Sequence, residues 1–204
     1  MSRRLDHAVG LLERSLVGTR TVLGLVEPGD LGRATPCAAW DLATLLGHMD
    51  DSLGAYLEAS QGALPLVPAL PPAAAAYDDP AGRLRVRVGT LLGAWAGAAE
   101  RDLDRVGLDG PSGLAADLLV STAALEVAVH GWDVARSLGA PSAQQEAAAT
   151  VLPPALAQAL LPVARRTVAA GRTEGLFAGP LPARPGDGPV EVLLGLLGRP
   201  GRQR

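Results

Sequence analysis

The chain has 204 residues, of which 48% are hydrophobic and 19% are charged, and its formal net charge is −3. A chain of this length and composition can bury a substantial core, and we expect residues 1–204 to form one domain. All 18 basic residues are arginines scattered along the chain, so neither a nucleic-acid surface nor a polybasic membrane patch is expected.

Apolar residues recur at spacings of three and four over most of the chain, which predicts a series of amphipathic helices. In chain order these span about residues 3–26, 42–60, 80–106, 114–138, 142–170 (interrupted at Pro153-Pro154) and 190–197. Local signals predict where they begin and end. Asp41, Asp79 and Ser142 suit helix N-caps, and Gly139 suits a C-terminal stop.

The connections between these helices are rich in turn-forming residues. Residues 61–76 are dominated by proline and alanine and predict an irregular loop, and Leu108–Gly113 predicts a turn. No run of alternating β-branched and aromatic residues is long enough to predict a sheet. The predicted class is therefore all-α, a four-helix bundle with extra C-terminal helices.

Cysteine content and hydropathy bear on the compartment. Cys37 is the only cysteine, which excludes an internal disulfide. The basic N-terminus does not continue into a signal peptide, because Glu13 and Arg14 break the apolar run. The uncharged stretches 59–77 and 147–164 contain several prolines and make no convincing membrane span. We expect a cytoplasmic protein.

The most informative residues are two of the three histidines and one glutamate. Glu126 and His130 are four residues apart on a predicted helix, so both side chains project from the same face. His48 lies on another predicted helix and can supply a third ligand from a facing position. A His/Glu/His set suits a first-row divalent metal, namely Zn(II), Fe(II), Ni(II) or Mn(II). Three protein ligands would leave one position open for water or substrate.

The same spacing has a simpler reading. Carboxylate and imidazole groups one helical turn apart also form ordinary hydrogen bonds, so Glu126 and His130 can be a partly buried pair. His48 is then an unrelated histidine on a different helix. Spacing alone leaves both interpretations open.

Two segments resemble the signature segments of a known family. They are Pro36–His48 (PCAAWDLATLLGH) and Glu126–Arg136 (EVAVHGWDVAR). Both are similar to the mycothiol-dependent maleylpyruvate isomerase N-terminal family within the DinB-like superfamily, and Leu193–Pro200 resembles the terminus of one actinobacterial branch. The resemblance covers nearly the whole chain. It implies a DinB-like four-helix bundle that binds a divalent metal, usually zinc, at positions matching His48, Glu126 and His130.

The resemblance also implies a type of chemistry. In this family the metal binds the sulfur of a low-molecular-weight thiol, which makes mycothiol the expected co-substrate. Coordination lowers the pKa of a thiol and makes its thiolate available near neutral pH. The isomerases carry a further C-terminal domain at the active site, whereas the chain after Ala140 is short and helical. We therefore expect a thiol transferase or isomerase-like enzyme acting on a small electrophilic metabolite, rather than maleylpyruvate isomerisation itself.

Two other classes of function remain open. No clear general acid stands beside the three ligands, which favours a non-catalytic metal-binding protein of the same fold. Two histidines and a carboxylate also describe the facial triad of non-haem Fe(II) oxygenases. That chemistry is usually found on β-sandwich scaffolds, and the sequence predicts no strands.

Two residues near these segments also carry expectations. Cys37 is expected to be a buried structural cysteine rather than a nucleophile. Asp133 is expected to pair with Arg136 on the helix surface, or else to orient the imidazole of His130 one turn away.

The remaining candidates are expected to have structural roles. The three tryptophans are expected to pack in the core, with Trp132 close enough to the proposed metal to line a pocket. Asp50 and Asp51 are expected to be solvated, and His7 is given no role.

Overall fold

Most of the described chain is helical. The structure is a computed structural model that describes residues 3–37, 40–64, 79–108, 113–139, 141–169 and 179–200. Its helices are α1 (Arg3–Leu23), α2 (Leu42–Ala59), α3 (Pro80–Glu100), α4 (Ala116–Ser137), α5 (Pro141–Val151), α6 (Pro154–Ala169) and α7 (Pro189–Leu196). Its strands are β1 (Ala63–Leu64), β2 (Arg105–Leu108) and β3 (Gly113–Ala115). The predicted all-α class is confirmed.

Helices α1 to α4 form the bundle. Helix α4 packs against α1, α2, α5 and α6, while α7 packs on α6. Because α4 has neighbours on several sides, it is apolar around most of its circumference. Its length and mean hydropathy of 1.2 would also suit a membrane span, as would α5 and α6 together if their 63° bend were part of one span. However, 78% of the apolar stretch of α4 is buried inside the bundle, and this core position accounts for its composition.

The predicted helix signals act as expected at three of four positions. The Asp41 carboxylate accepts a hydrogen bond from the backbone N–H of Thr44 (2.8 Å), and Asp79 accepts one from Gly82 (2.7 Å). Gly139 follows α4 with a φ of +64°, a left-handed conformation that glycine adopts without strain. The expected cap at Ser142 is wrong, because α5 already begins at Pro141.

The predicted end of the third helix is also wrong. Helix α3 stops at Glu100 rather than continuing to Val106, and Asp102 takes a φ of +53° that no helix residue can adopt. The chain then forms β2, which pairs in parallel with β1 and antiparallel with β3. This small sheet was not predicted. Most of the predicted loop and turn, at residues 65–76 and 109–112, lies outside the described residues.

An ion-pair group joins α2 to α3. Asp50 is 7% exposed, and its carboxylate lies 3.1 Å from Nη2 of Arg83 and 2.8 Å from Nε of Arg87. The expectation that Asp50 is solvated is therefore wrong, whereas Asp51 is exposed as predicted. The carboxylate can be buried because two guanidinium groups from the facing helix compensate its charge. This contact helps to set how α2 lies against α3.

Candidate metal centre

His48, Glu126 and His130 lie together in the bundle. His48 is on α2, and the other two are one turn apart on α4, which packs against α2. The potential ligand atoms of the three side chains all lie within 4.8 Å of one another. His48 Nε2 is 3.3 Å from Glu126 Oε1, and the two imidazole rings meet edge to face with centroids 5.0 Å apart. The facing helices thus bring together the three residues that the sequence singled out.

This donor set fits a small divalent cation. Two ligands of a tetrahedral zinc ion with bonds of 2.0–2.1 Å lie about 3.3 Å apart. The Nε2 to Oε1 separation of His48 and Glu126 equals this value. Two imidazoles and one carboxylate are also ligands that zinc, iron, nickel and manganese accept. The chemistry of all three ligands, and the distance between His48 and Glu126, therefore suit such an ion.

Glu126 is held as an ionised, oriented carboxylate. Burial alone would raise its pKa, but hydrogen bonds from His48, Ser52 and Tyr56 together with the nearby His130 lower the pKa of Glu126 to about 2. The Tyr56 hydroxyl donates to Oε2 at 2.8 Å, which leaves Oε1 on the side of His48. The charge that a cation would require is therefore present at neutral pH.

The site is buried on one side and accessible on the other. The side chain of His130 is 2% exposed, whereas those of His48 and Glu126 are 23% and 20% exposed. A small cleft adjoins the group, with a volume of about 10 Å³ for a water-sized molecule. Its lining residues are Met49, Ser52, Leu53, Tyr56, Glu126, Val127 and His130. The cleft therefore offers space for a water-sized ligand beside Glu126 and His130, while His48 lies outside its lining.

The prediction that Trp132 lines a pocket at the site is wrong, and a different tryptophan lies there. Trp132 is buried beside Arg136, whose guanidinium carbon lies 5.8 Å from the ring centroid, and it does not line the cleft. Trp40 is the tryptophan next to the site, with its ring centroid 4.7 Å from that of His48. Trp95 is fully buried as expected and donates to the backbone carbonyl of Tyr56 at 3.0 Å.

Behind His130 lies a second polar group built around Asp133. Asp133 is fully buried, and its Oδ2 is 3.1 Å from Nδ1 of His130. Nη2 of Arg199 lies 2.6 Å from the same oxygen, and Cys37 Sγ lies 3.4 Å away. The expected surface pair of Asp133 with Arg136 is wrong, while the alternative contact with His130 is present.

This second group is a poor cation site, although Cys37, His130 and Asp133 are close enough to share an ion. The Arg199 guanidinium already occupies the position facing Asp133 and Cys37 and would repel a cation. Burial and the Asp133 charge raise the pKa of the Cys37 thiol to about 12, so the thiol stays protonated. Cys37 is half-buried, and its role here is that of a neutral hydrogen-bonding group.

Sequence reasoning missed three residues around the site: Ser52, Tyr56 and Arg199. A signal existed for the first two, because His48, Ser52 and Tyr56 are spaced by four and form one polar stripe on the mainly apolar face of α2. Arg199 lies in the segment Leu193–Pro200 that resembles the terminus of a family branch, but no spacing pattern connects it with Asp133. Its contact with Asp133 spans 66 residues and depends on how the C-terminal segment folds back.

Fold and site define a class: an all-α bundle of the DinB-like kind with a His/Glu/His group on facing helices. The family model for the mycothiol maleylpyruvate isomerase N-terminal domain matches residues 12–135. The chain belongs to this family, as its two signature segments predicted. The match includes His48, Glu126 and His130 and ends before Arg199. No curated protein and no solved structure matches the chain.

Proposed function

We propose that His48, Glu126 and His130 bind one divalent metal ion, with Zn(II) as the first candidate, and that this centre binds a low-molecular-weight thiol. The observation that carries the proposal is the convergence of the three ligand atoms within 4.8 Å beside a small cleft lined by Glu126 and His130. Mycothiol is the first candidate for this thiol, because the description of the family names mycothiol and maleylpyruvate isomerase. The proposed activity is a thiol transfer or isomerisation on a small electrophile.

The side chains would have different roles in binding the metal. The two imidazoles provide neutral nitrogen ligands, and Glu126 provides one negative charge. Tyr56 donates to Oε2 of Glu126 and so limits rotation of that carboxylate. When bound, the metal would supply Lewis acidity that lowers the pKa of a coordinated thiol.

The cleft suits the reactive end of a thiol better than a whole large ligand. Pockets that enclose drug-sized molecules measure about 300–1,000 Å³, whereas the space in this cleft is about 10 Å³, enough for one water-sized group. Met49, Leu53 and Val127 line it with apolar surface, which limits the water around a bound sulfur. The bulk of the thiol would then lie outside, beside the more exposed His48 and Glu126.

Replacement of the metal by Co(II) tests the thiol directly. Coordination of a thiolate to Co(II) adds a sulfur-to-metal charge-transfer band. We expect mycothiol to produce this band with the wild-type protein. Glu126→Ala should lose it, and His7→Ala should keep it, because His7 is an exposed histidine on α1.

The outcome separates the proposed function from its alternative. Co(II) binding without a charge-transfer change for any biological thiol would refute the thiol-dependent activity. It would favour a metal-binding protein of the same fold without catalysis.

A further inference from the structure

The chain after α7 folds back so that the side chain of Arg199 is buried in the core. After α7, Gly198 takes a φ of +75°, and the backbone N–H of Arg199 donates to the carbonyl of Leu194 at 2.9 Å. This turn points the Arg199 side chain inward, where the residue is only 3% exposed. Burial of an arginine requires partners for its charge and its N–H groups.

Most of these partners belong to one carboxylate. Nε of Arg199 lies 3.1 Å from both Oδ1 and Oδ2 of Asp133, and Nη2 lies 2.6 Å from Oδ2. Nη1 donates to the carbonyl of Leu197 at 2.9 Å, and Nη2 also contacts Sγ of Cys37 at 2.9 Å. A guanidinium that engages both oxygens of a carboxylate fixes the plane of that carboxylate as well as its position.

The fixed carboxylate faces a proposed metal ligand. Oδ2 of Asp133 lies 3.1 Å from Nδ1 of His130. A carboxylate only accepts hydrogen bonds, so this contact requires the proton of a neutral imidazole to be on Nδ1. The lone pair is then on Nε2, which is left as the nitrogen available to a metal.

We propose that Arg199 is a positioning residue for the metal centre, acting through Asp133 to fix the ring orientation and the Nδ1–H tautomer of His130. This inference rests on the proposed metal-binding function. It assigns a role in the site to a segment beyond the residues 12–135 that the family model matches. The C-terminal segment therefore does more than cover the bundle, because its arginine sets which nitrogen of His130 faces the ligands on α2.

Two measurements test this role, and one of them requires no metal. The first is Zn(II) affinity, measured by competition with a chromophoric chelator. The second is the pair of imidazole ¹⁵N chemical shifts of His130 in metal-free protein, which distinguish the two tautomers. Arg199→Gln removes the guanidinium, and Arg199→Lys keeps a charge but cannot engage both oxygens in the same way. Arg184→Gln is the control, because Arg184 is an exposed arginine in the same C-terminal region.

We expect Arg199→Gln to weaken Zn(II) binding by about 10- to 100-fold, the usual effect of removing a group that orients a metal ligand. We expect the His130 shifts of the same variant to move from one tautomer towards a mixture. Arg199→Lys should show both changes in smaller measure, and Arg184→Gln should show neither.

The proposal is overturned if folded Arg199→Gln keeps both the wild-type affinity and the wild-type shifts, since Arg199 would then only anchor the tail. If Arg199→Gln does not fold, Arg199→Lys decides by the same two readouts, and wild-type values for both would overturn the proposal. A wild-type protein without zinc affinity would refute the metal site. The tautomer comparison in metal-free protein would still support or overturn the action of Arg199 on His130.

Discussion

At the scale of single residues, the centre depends on hydrogen bonds that orient its proposed ligands. Glu126 is held by the Tyr56 hydroxyl at 2.8 Å, and His130 is held by Asp133 at 3.1 Å. In each proposed ligand on α4, one polar atom bonds to an orienting partner (Oε2 of Glu126 and Nδ1 of His130), and the other polar atom can bind the metal. This arrangement reduces the rearrangement that metal binding would require.

The hydroxyl of Tyr56 should therefore matter for metal affinity. Tyr56→Phe keeps the ring and removes only the donor to Glu126, so we expect zinc binding to weaken by about 10-fold with little change in folding. Competition with a chelator measures this. The control is Thr90→Val, which removes an exposed hydroxyl from α3. Equal affinities for both variants would contradict the role given to Tyr56.

Cys37 should be an unreactive thiol. Because its pKa is raised to about 12, the reactive thiolate is scarce at pH 8, and alkylation by iodoacetamide should be slower than for free cysteine by roughly 100-fold or more. Unfolding in guanidinium chloride removes the burial that raises the pKa and should restore fast alkylation. A folded protein that reacts at the rate of free cysteine would refute this assignment.

Residue-scale prediction from sequence was successful where contacts are local. Glu126 and His130 share a helical face because they are four residues apart, and their common position needs no knowledge of the fold. Asp133 shows where local reasoning stops. Its nearest opposite charge in sequence is Arg136, but Asp133 faces the core and pairs with Arg199 instead.

At the scale of helices, glycines set how closely α1 approaches its neighbours. A Cβ added to Gly18 would lie 2.7 Å from the Cα of Val151 at the end of α5. A Cβ added to Gly131 on α4 would clash with the hydroxyl of Thr19. The Thr19 hydroxyl also donates to the carbonyl of Val127 at 3.1 Å, so α1 and α4 are in direct contact next to the site.

Gly18→Ala should therefore destabilise the protein. The added methyl meets backbone atoms that cannot rotate away, and such overpacking costs about 1–3 kcal/mol. Gly10→Ala on the same helix is the matched control, because nothing lies within 4 Å of its added Cβ. Alanine there should stabilise α1 by about 0.5–1 kcal/mol. Urea denaturation measures both, and a Gly18→Ala variant as stable as Gly10→Ala would contradict the close packing.

Helix starts were easier to predict than helix ends and the sheet. The carboxylates of Asp41 and Asp79 each accept a hydrogen bond from a backbone N–H three residues later, so these caps can be recognised from the local sequence alone. The end of α3 depends on pairing of β2 with β1 and β3, and the paired residues Ala63 of β1 and Gly107 of β2 are 44 positions apart in sequence. Strands of two to four residues carry too little periodicity to be recognised on their own.

At the scale of the whole molecule, the proposed metal would link two helices of the bundle. An ion bound by His48 on α2 and by Glu126 and His130 on α4 would be lost when those helices separate. Ligands that bind only the folded state stabilise it in proportion to the logarithm of their concentration. Metal binding and global stability should therefore be coupled.

Removal of the metal should lower the melting temperature. At a free zinc concentration of 100 times the Kd the gain is about 2.7 kcal/mol, which corresponds to roughly 5–10 °C for a chain of this size. Calorimetry with and without a strong chelator measures the difference. The melting temperature of His130→Ala should be insensitive to the chelator, and a wild-type protein that is equally insensitive would contradict the coupling.

Elemental analysis of purified protein measures directly whether His48, Glu126 and His130 hold a metal ion. The three histidines of the chain give matched variants: His48→Ala and His130→Ala remove proposed ligands, and His7→Ala removes an exposed histidine on α1. We expect about one divalent metal ion per chain in the wild type and in His7→Ala, with most of it lost in the other two variants, because two remaining ligands hold a metal weakly. Equal metal content in all four proteins, or none in the wild type after purification with added zinc, would contradict the metal site.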